Sequence, residues 1–274
     1  MHCDVDASYD RAILRFNGLL EEPVAELPAL RRENADLFGP IARLVGDAVA
    51  PYRPRYITPM AAVAGAVAQT ILASLVTPDI ARAFVNNGGG IALHLQPGQP
   101  LVSAIAGTSS LITVNHHDAL RGNATSGWRG RSWSMGIADL VSVLARTAAM
   151  ADAAATMIAN AVDLPGHPSI VRQPACEVQF DSNLGARLVT VGEGCEAEHG
   201  ALWHVPGGYA MRERLGESRA IVTSAMKVAG MGSSLDAPLG HINAAYVRSH
   251  FDAMTVSVPD APRAAEIVFV LAMA

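Results

Sequence analysis

Ala83-Phe84-Val85-Asn86-Asn87-Gly88-Gly89-Gly90-Ile91-Ala92-Leu93-His94-Leu95 carries the most structural information in this chain. Two apolar runs flank a polar, glycine-dense turn, which is the pattern of strand, turn and strand. A hairpin is the simplest geometry that joins them. Three glycines at 88–90 also let backbone approach a ligand closely, and exposed amides around Asn87, Gly88 and Gly89 can hold a phosphate or a carboxylate. A glycine-rich hairpin that serves only the fold is the commoner case. The stretch is not Gly-x-Gly-x-x-Gly and it leads into a strand, so a Rossmann phosphate loop does not follow.

Upstream, Thr58-Pro59 offers an N-cap and a first-turn proline, predicting a helix over 60–76. Its alanines and Gly65 permit close backbone approach. Leu30, Leu37, Ile41, Leu44 and Val45 recur at near-helical spacing within 27–49, a segment that Gly39-Pro40 can split. Downstream, Leu111–Val114 is a strand candidate, 123–127 begins a polar connection, and Leu140–Leu144 is an apolar run. Residues 147–162 are alanine-rich and helix-prone until Asp163-Leu164-Pro165-Gly166-His167-Pro168 stops them. Further strands are predicted at 187–191, 220–224, 253–258 and 267–271. Strands interleaved with helices predict an α/β protein.

With 274 residues, half of them apolar and 16% charged, the chain has the composition of a globular protein with a substantial core. A net charge of -5 and the lack of a Lys/Arg cluster argue against nucleic acid as a partner. Cys3, Cys176 and Cys195 lie far apart, which suggests neither a disulfide framework nor a thiolate zinc site. Asp4, Asp6 and Asp10 stand where an export signal needs basic and then apolar residues. The stretch 59–76 falls short of a spanning helix. The expectation is a cytoplasmic chain without a membrane partner.

In a helix, Asp152, Thr156 and Asn160 share one face of an otherwise apolar segment. A carboxylate and a hydroxyl one turn apart can supply hard oxygen ligands to Mg²⁺, with phosphates or water completing its shell. A solvated stripe, or one bonded inside the core, is the commoner outcome of such spacing. In the tail, Glu198 and His199 can transfer protons if a turn brings them together. Ser224 and Lys227 have the Ser-x-x-Lys spacing of a lysine-activated nucleophile. Surface polarity and core hydrogen bonding explain those residue types more often. His241, Arg248 and His250 surround Tyr246 and suit an anionic substrate or, slightly better, a subunit interface. His116-His117-Asp118 fits a loop better than a metal site, because consecutive histidines do not share a strand face.

Four ordered motifs resemble the uncharacterised branch of the ApbE-like superfamily over about residues 10–190. They are Tyr56-Ile57-Thr58-Pro59-Met60-Ala61-Ala62-Val63-Ala64-Gly65-Ala66, Val85–Leu93, Ala124-Thr125-Ser126-Gly127-Trp128-Arg129-Gly130-Arg131-Ser132 and Ala151–Thr156. The resemblance implies a flavin-transferase-type α/β fold. It also implies a magnesium site at Asp152 and Thr156 accompanying FAD, with the glycine turn near the nucleotide. Flavin transferases carry His-x-x-Asp-Pro-x-x-Gly, whereas Gly127–Gly136 stands here between Ser126 and Asp139. Thr125, Ser126, Arg129 and Arg131 in this stretch are ligand-binding candidates, the arginines for a carboxylate or phosphate. Gly194–Ala201, Thr223–Lys227, Asp236–His241 and Ala245–Met254 resemble the C-terminal half of the family named "amino acid synthesis". That resemblance implies a chorismate-mutase-like α/β segment and homo-oligomers. The expected organisation is therefore an ApbE-like domain at 1–190 followed by a smaller segment at 191–274. The expected function is a cytosolic enzyme of small-molecule metabolism, of hydrolase or transferase type, acting on an amino-acid-like or cyclic nitrogenous acid. The alternatives are a flavin-binding protein or Mg-dependent FAD:protein FMN transferase, and a non-catalytic oligomer subunit.

Overall fold

A computed structural model describes residues 5–104, 111–128, 130–138, 140–161, 163 and 170–191, together with the backbone of 242–248 and 267–271. The helices are α1 (Val5–Phe16), α2 (Glu21–Ala25), α3 (Leu27–Leu30), α4 (Pro40–Val49), α5 (Val63–Leu75), α6 (Ala148–Ala161) and α7 (Ala175–Val178). The strands are β1 (Arg82–Asn87), β2 (Gly90–Leu95), β3 (Pro100–Ala104), β4 (Leu111–Asn115), β5 (Gly122–Ser126), β6 (Leu140–Ala145), β7 (Arg172–Pro174), β8 (Leu188–Thr190), β9 (Ile242–Arg248) and β10 (Ile267–Leu271). The class is mixed α/β, as the strand and helix signals predict, but pairing among the described strands is mainly antiparallel, whereas alternation alone favours parallel strands. No helix among the described residues is long and apolar enough to cross a membrane.

The chain forms two compact units. One comprises Met1–Ala124, Leu144–Ala153 and Thr255–Ala274, the other Thr125–Val143 and Ala154–Met254. In the first, the strand order is β10-β1-β2-β5. Strands β1 and β2 form the antiparallel hairpin expected from their sequence, in register from Arg82↔Leu95 to Asn87↔Gly90. Gly88 (φ 59°) and Gly89 (φ 101°) form its turn, in the left-handed region where glycine avoids the penalty of a Cβ. On the outer side of β1, β10 pairs in parallel, from Ala83↔Ile267 to Asn87↔Leu271. A separate ribbon pairs β3 with β4.

Helix α5 lies on β1 and β2, with α1 and α4 against it. Gly65, Ala66, Val67, Ala68, Ile71, Leu72 and Leu75 are buried, so α5 is apolar on more than one face, as a central helix must be. Alternation in β1 turns Ala83, Val85 and Asn87 inward and leaves Arg82, Phe84 and Asn86 half-buried.

The helical spacing across 27–49 resolves into α3 and α4, separated at Gly39-Pro40. Pro40 opens α4, and the Glu26 carboxylate accepts the preceding Phe38 and Gly39 amides at 2.8 Å and 2.6 Å. The helix predicted over 60–76 begins with a 3-10 turn, Pro59–Ala62, and becomes α-helical at Val63. Neither start has a side-chain cap from its own N-cap residue.

In the second unit, β7 pairs antiparallel with β8. Asp163 and Arg172 form an ion pair, and the Arg172 guanidinium also donates to Met135 O at 2.7 Å. Thr190 donates its hydroxyl to Gly136 O at 2.9 Å and its amide to Ser134 O at 2.9 Å, fixing the loop 134–136. The strands predicted at 220–224 and 253–258 lie outside the described residues.

Candidate functional site

Helix α6 begins after Thr147, whose hydroxyl accepts the Met150 amide at 3.3 Å in an N-cap contact. Alanines on its inner faces are fully buried, while Asp152, Thr156 and Asn160 each keep partial exposure along one stripe. Within the first unit, Asp152 Oδ2 accepts the Gly65 amide at 2.9 Å, and the Ala64 amide also bonds the carboxyl. Those amides belong to the first turn of α5, which lacks donors' partners within its own chain segment. Asp152 therefore caps α5 from another helix, with its charge at the positive end of the helix dipole.

The opposite end of α5 has the complementary partner. Arg11 in α1 donates from Nε to Ser74 O at 3.2 Å and from a terminal nitrogen to Leu75 O at 3.1 Å. A carboxyl at the N-terminus and a guanidinium at the C-terminus thus meet α5 with the signs its dipole favours.

Burial pushes the Asp152 carboxyl up to about 7, with the Gly65 and Ala64 amides opposing the shift. The desolvation cost of a carboxylate exceeds the gain from two amide donors. Asp152 is half-buried as a residue, and its carboxyl titrates at the pH where general acids and bases work.

Glycines bring the backbones around this carboxyl together. A Cβ on Gly65 would lie 2.2 Å from Ala148 O, one on Gly90 2.7 Å from Gly65 N, and one on Gly122 2.2 Å from the Thr147 carbonyl carbon. The α5 start, the β2 start, the β5 start and the α6 start therefore pack backbone to backbone.

Of the hairpin candidates, Asn87 is buried and donates from Nδ2 to Ala64 O at 3.2 Å, beside the Asp152 contacts. Gly88 and Gly89 make the turn itself, and the Gly89 amide donates to Asn86 Oδ1 at 3.1 Å. Thr125, which is exposed, shares a 2.6 Å hydrogen bond with the buried Ser142 hydroxyl. Ser126 is half-buried and Arg131 exposed. Thr156 lies one helical turn beyond Asp152 on the same stripe. Asn160 Oδ1 accepts the Ser134 hydroxyl at 3.2 Å and the Met135 amide at 3.0 Å.

Arg129, Glu198, His199, Ser224, Lys227, His241 and His250 lie outside the described residues, and Arg248 is described only as backbone in β9. Among the described residues no three of His, Cys, Asp and Glu gather to hold a metal ion. His116 bonds Leu95 O through Nδ1 at 2.7 Å, and His117 lies 3.6 Å from Asp118. Reading the sequence missed Ala64, Gly65 and Asn87 Nδ2 as the surroundings of Asp152. Their one signal was the run of small residues after Pro59, which permits a close approach without naming what approaches.

The chain is similar to archaeal UPF0280 proteins. It is 34% identical to that of Methanococcoides burtonii over 157 residues, covering 54% of this chain and 61% of the relative. It is 38% identical to that of Methanothrix thermoacetophila over 113 residues, covering 39% and 47%. For Methanothermobacter thermautotrophicus the values are 37% over 147 residues, 52% and 57%. The chain thus spans 47% to 61% of the length of these relatives. One family model, described as "AbpE bacteria", matches residues 1–231. These matches correct the expectation of an ApbE-like segment joined near residue 190 to the C-terminal half of the amino-acid-synthesis family. A single family runs through the supposed join, and the relatives are UPF0280 proteins. With most of its length matched in this way, the chain belongs to the AbpE bacteria family.

Proposed function

We propose that this chain is an enzyme acting on a small molecule, with Asp152 as its proton-transferring carboxyl. The supporting observation is the position of that carboxyl. It is held by the Gly65 and Ala64 amides, belongs to a half-buried residue, and is pushed up to about 7 by burial. A group so poised gives up or takes a proton at neutral pH with little cost in either direction.

Capping and catalysis separate in the Asp152→Asn variant. Asparagine keeps the volume and a carbonyl oxygen for the amides of α5, but it cannot exchange a proton at this pH. The test is a turnover screen over amino-acid-like and cyclic nitrogenous acids, followed by a comparison of the parent with Asp152→Asn. Retained folding with turnover reduced by roughly a hundredfold or more supports the reading. Unchanged turnover removes Asp152 from the chemistry.

The same preparation tests the cofactor alternatives. A single carboxylate and a hydroxyl would need phosphates or water to complete a magnesium shell. FAD fluorescence measured with and without Mg²⁺ therefore reads both together. Mg-dependent quenching lost in Asp152→Ala would assign the carboxyl to a flavin phosphate–metal site instead. If activity is restored only by a second, co-purifying protein, the chain is a non-catalytic subunit.

A further inference from the structure

A cavity of about 430 Å³ opens in the first unit, apart from the Asp152 carboxyl. Its walls come from the later turns of α5, the middle of β2, Arg121 and the start of α6. The charged side chains lining it, Arg121 and Arg146, are both basic, and His94 stands with them. In a chain with a net charge of -5, a cavity whose lining among the described residues holds two arginines and no carboxylate is a local reversal of sign.

Arg121 is fixed in place. One terminal nitrogen donates to Asp118 O at 2.7 Å and Leu120 O at 2.5 Å, the other to His116 O at 2.8 Å. Backbone carbonyls hold its geometry without neutralising its charge. Arg146 is exposed and immediately precedes Thr147, the N-cap of α6. This helix has 14 residues, so its dipole adds positive potential where Thr147 and Ala148 line the cavity. His94 directs Nε2 to Ile80 O at 2.9 Å, which places the proton on that nitrogen and leaves Nδ1 available.

A further observation points to an absent binding partner. Gln69 lines the cavity, and its Oε1 is buried without a hydrogen-bond partner. Buried amides are ordinarily satisfied, and because protein covers this oxygen, a ligand completes the missing bond only when the Gln69 side chain turns its amide into the cavity. The remaining lining, including Leu72, Val76 and Ala92, is apolar. Volume, apolar floor and a few convergent polar groups match a small organic ligand. Two guanidinium groups and a helix N-terminus select a phosphoryl group as its charged end.

We propose that this cavity binds a phosphate monoester with an apolar or aromatic body, the phosphoryl group meeting Arg146 and the α6 N-terminus and the body lying on α5 and β2. The site does not depend on proton transfer at Asp152.

The probes are phenyl phosphate, phenol and inorganic phosphate, titrated calorimetrically into the full chain. Phenyl phosphate is expected to bind more tightly than inorganic phosphate, and phenol not to bind. Arg146→Glu is expected to weaken phenyl phosphate by at least roughly tenfold, the loss of one charge-assisted contact plus a repulsion. Arg43→Glu, an equal charge change on the exposed face of α4, is the control and should leave affinity within about twofold of the parent. Gln69→Leu adds a second reading, since it removes the orphaned amide while keeping the wall filled. Weaker binding without loss of stability supports a ligand role for Gln69. Absence of phenyl phosphate binding, equal losses in the two arginine variants, or unchanged binding in Arg146→Glu would overturn the proposal. Each outcome is read by binding alone, so it stands apart from the turnover result for Asp152→Asn.

Discussion

At the residue scale, Asp152 couples the fold to pH. Its folded-state value of about 7 lies above the ordinary 3.8, so between those values the folded chain holds a proton that the unfolded chain has released. The contribution to stability is therefore fully present below about pH 4 and is lost as the pH rises through about 7. The loss is on the order of 4 kcal/mol at most, reduced by the solvent contact the residue retains. Asp152→Asn is neutral throughout and should flatten this part of the profile. Urea midpoints at about pH 4.5 and about pH 7.5 measure the difference, with every other carboxyl common to both proteins. An identical pH dependence in parent and variant would show that the carboxyl titrates normally in the fold. The stripe of Asp152, Thr156 and Asn160 was legible as helical spacing. Its partners were not, because an amide at Gly65 and a loop at 134–135 are distant in sequence and are selected by tertiary approach.

At the scale of elements, the hairpin and α6 follow closely from local sequence. The Asn86–Gly90 turn has glycine where positive φ is required, and α6 keeps its alanine-rich span from Ala148 to Ala161. The start of α5 does not follow in the same way. Thr58-Pro59 has the composition of a cap, yet the chain inserts a 3-10 turn and leaves the α5 amides to a carboxyl from α6. Local propensity marks where a helix can begin, while packing of Gly65 against Ala148 decides where it does. Alanine substitutions test that packing. Gly65→Ala and Gly122→Ala place a Cβ 2.2 Å from backbone atoms, which rotamer changes cannot relieve. Each should cost at least about 3 kcal/mol, beyond ordinary overpacking. Gly98→Ala meets nothing within 4 Å but sits at φ +80°, so it should cost only the conformational strain, about 1 kcal/mol. Chemical denaturation ranks the three, and losses at Gly65 and Gly122 no larger than at Gly98 would mean that the close backbone approach relaxes to admit a methyl group.

At the scale of the whole molecule, the family match and the strand order extend differently along the chain. The AbpE bacteria match ends at residue 231, whereas β10, at Ile267–Leu271, supplies the parallel neighbour of β1. Sequence reading identified 267–271 as a strand from its apolar run but could not choose its partner, since pairing between distant strands is set by which edge is open. The open edge is β1, whose other side is taken by β2 along its whole length, from Arg82↔Leu95 to Asn87↔Gly90. Removing residues 267–274 should expose the β10-facing amides of β1 while leaving the β2-facing amides in place. Native-state hydrogen exchange reads this directly. In the full chain both sets are expected to be protected; in the shortened chain protection should fall for the outward-facing set alone. A fall in both sets would make β10 necessary to the hairpin itself, and equal protection in the two proteins would remove β10 from the β1 edge. A soluble shortened chain that self-associates would give the same answer by another route, because an unpaired β1 presents main-chain donors and acceptors to a second copy.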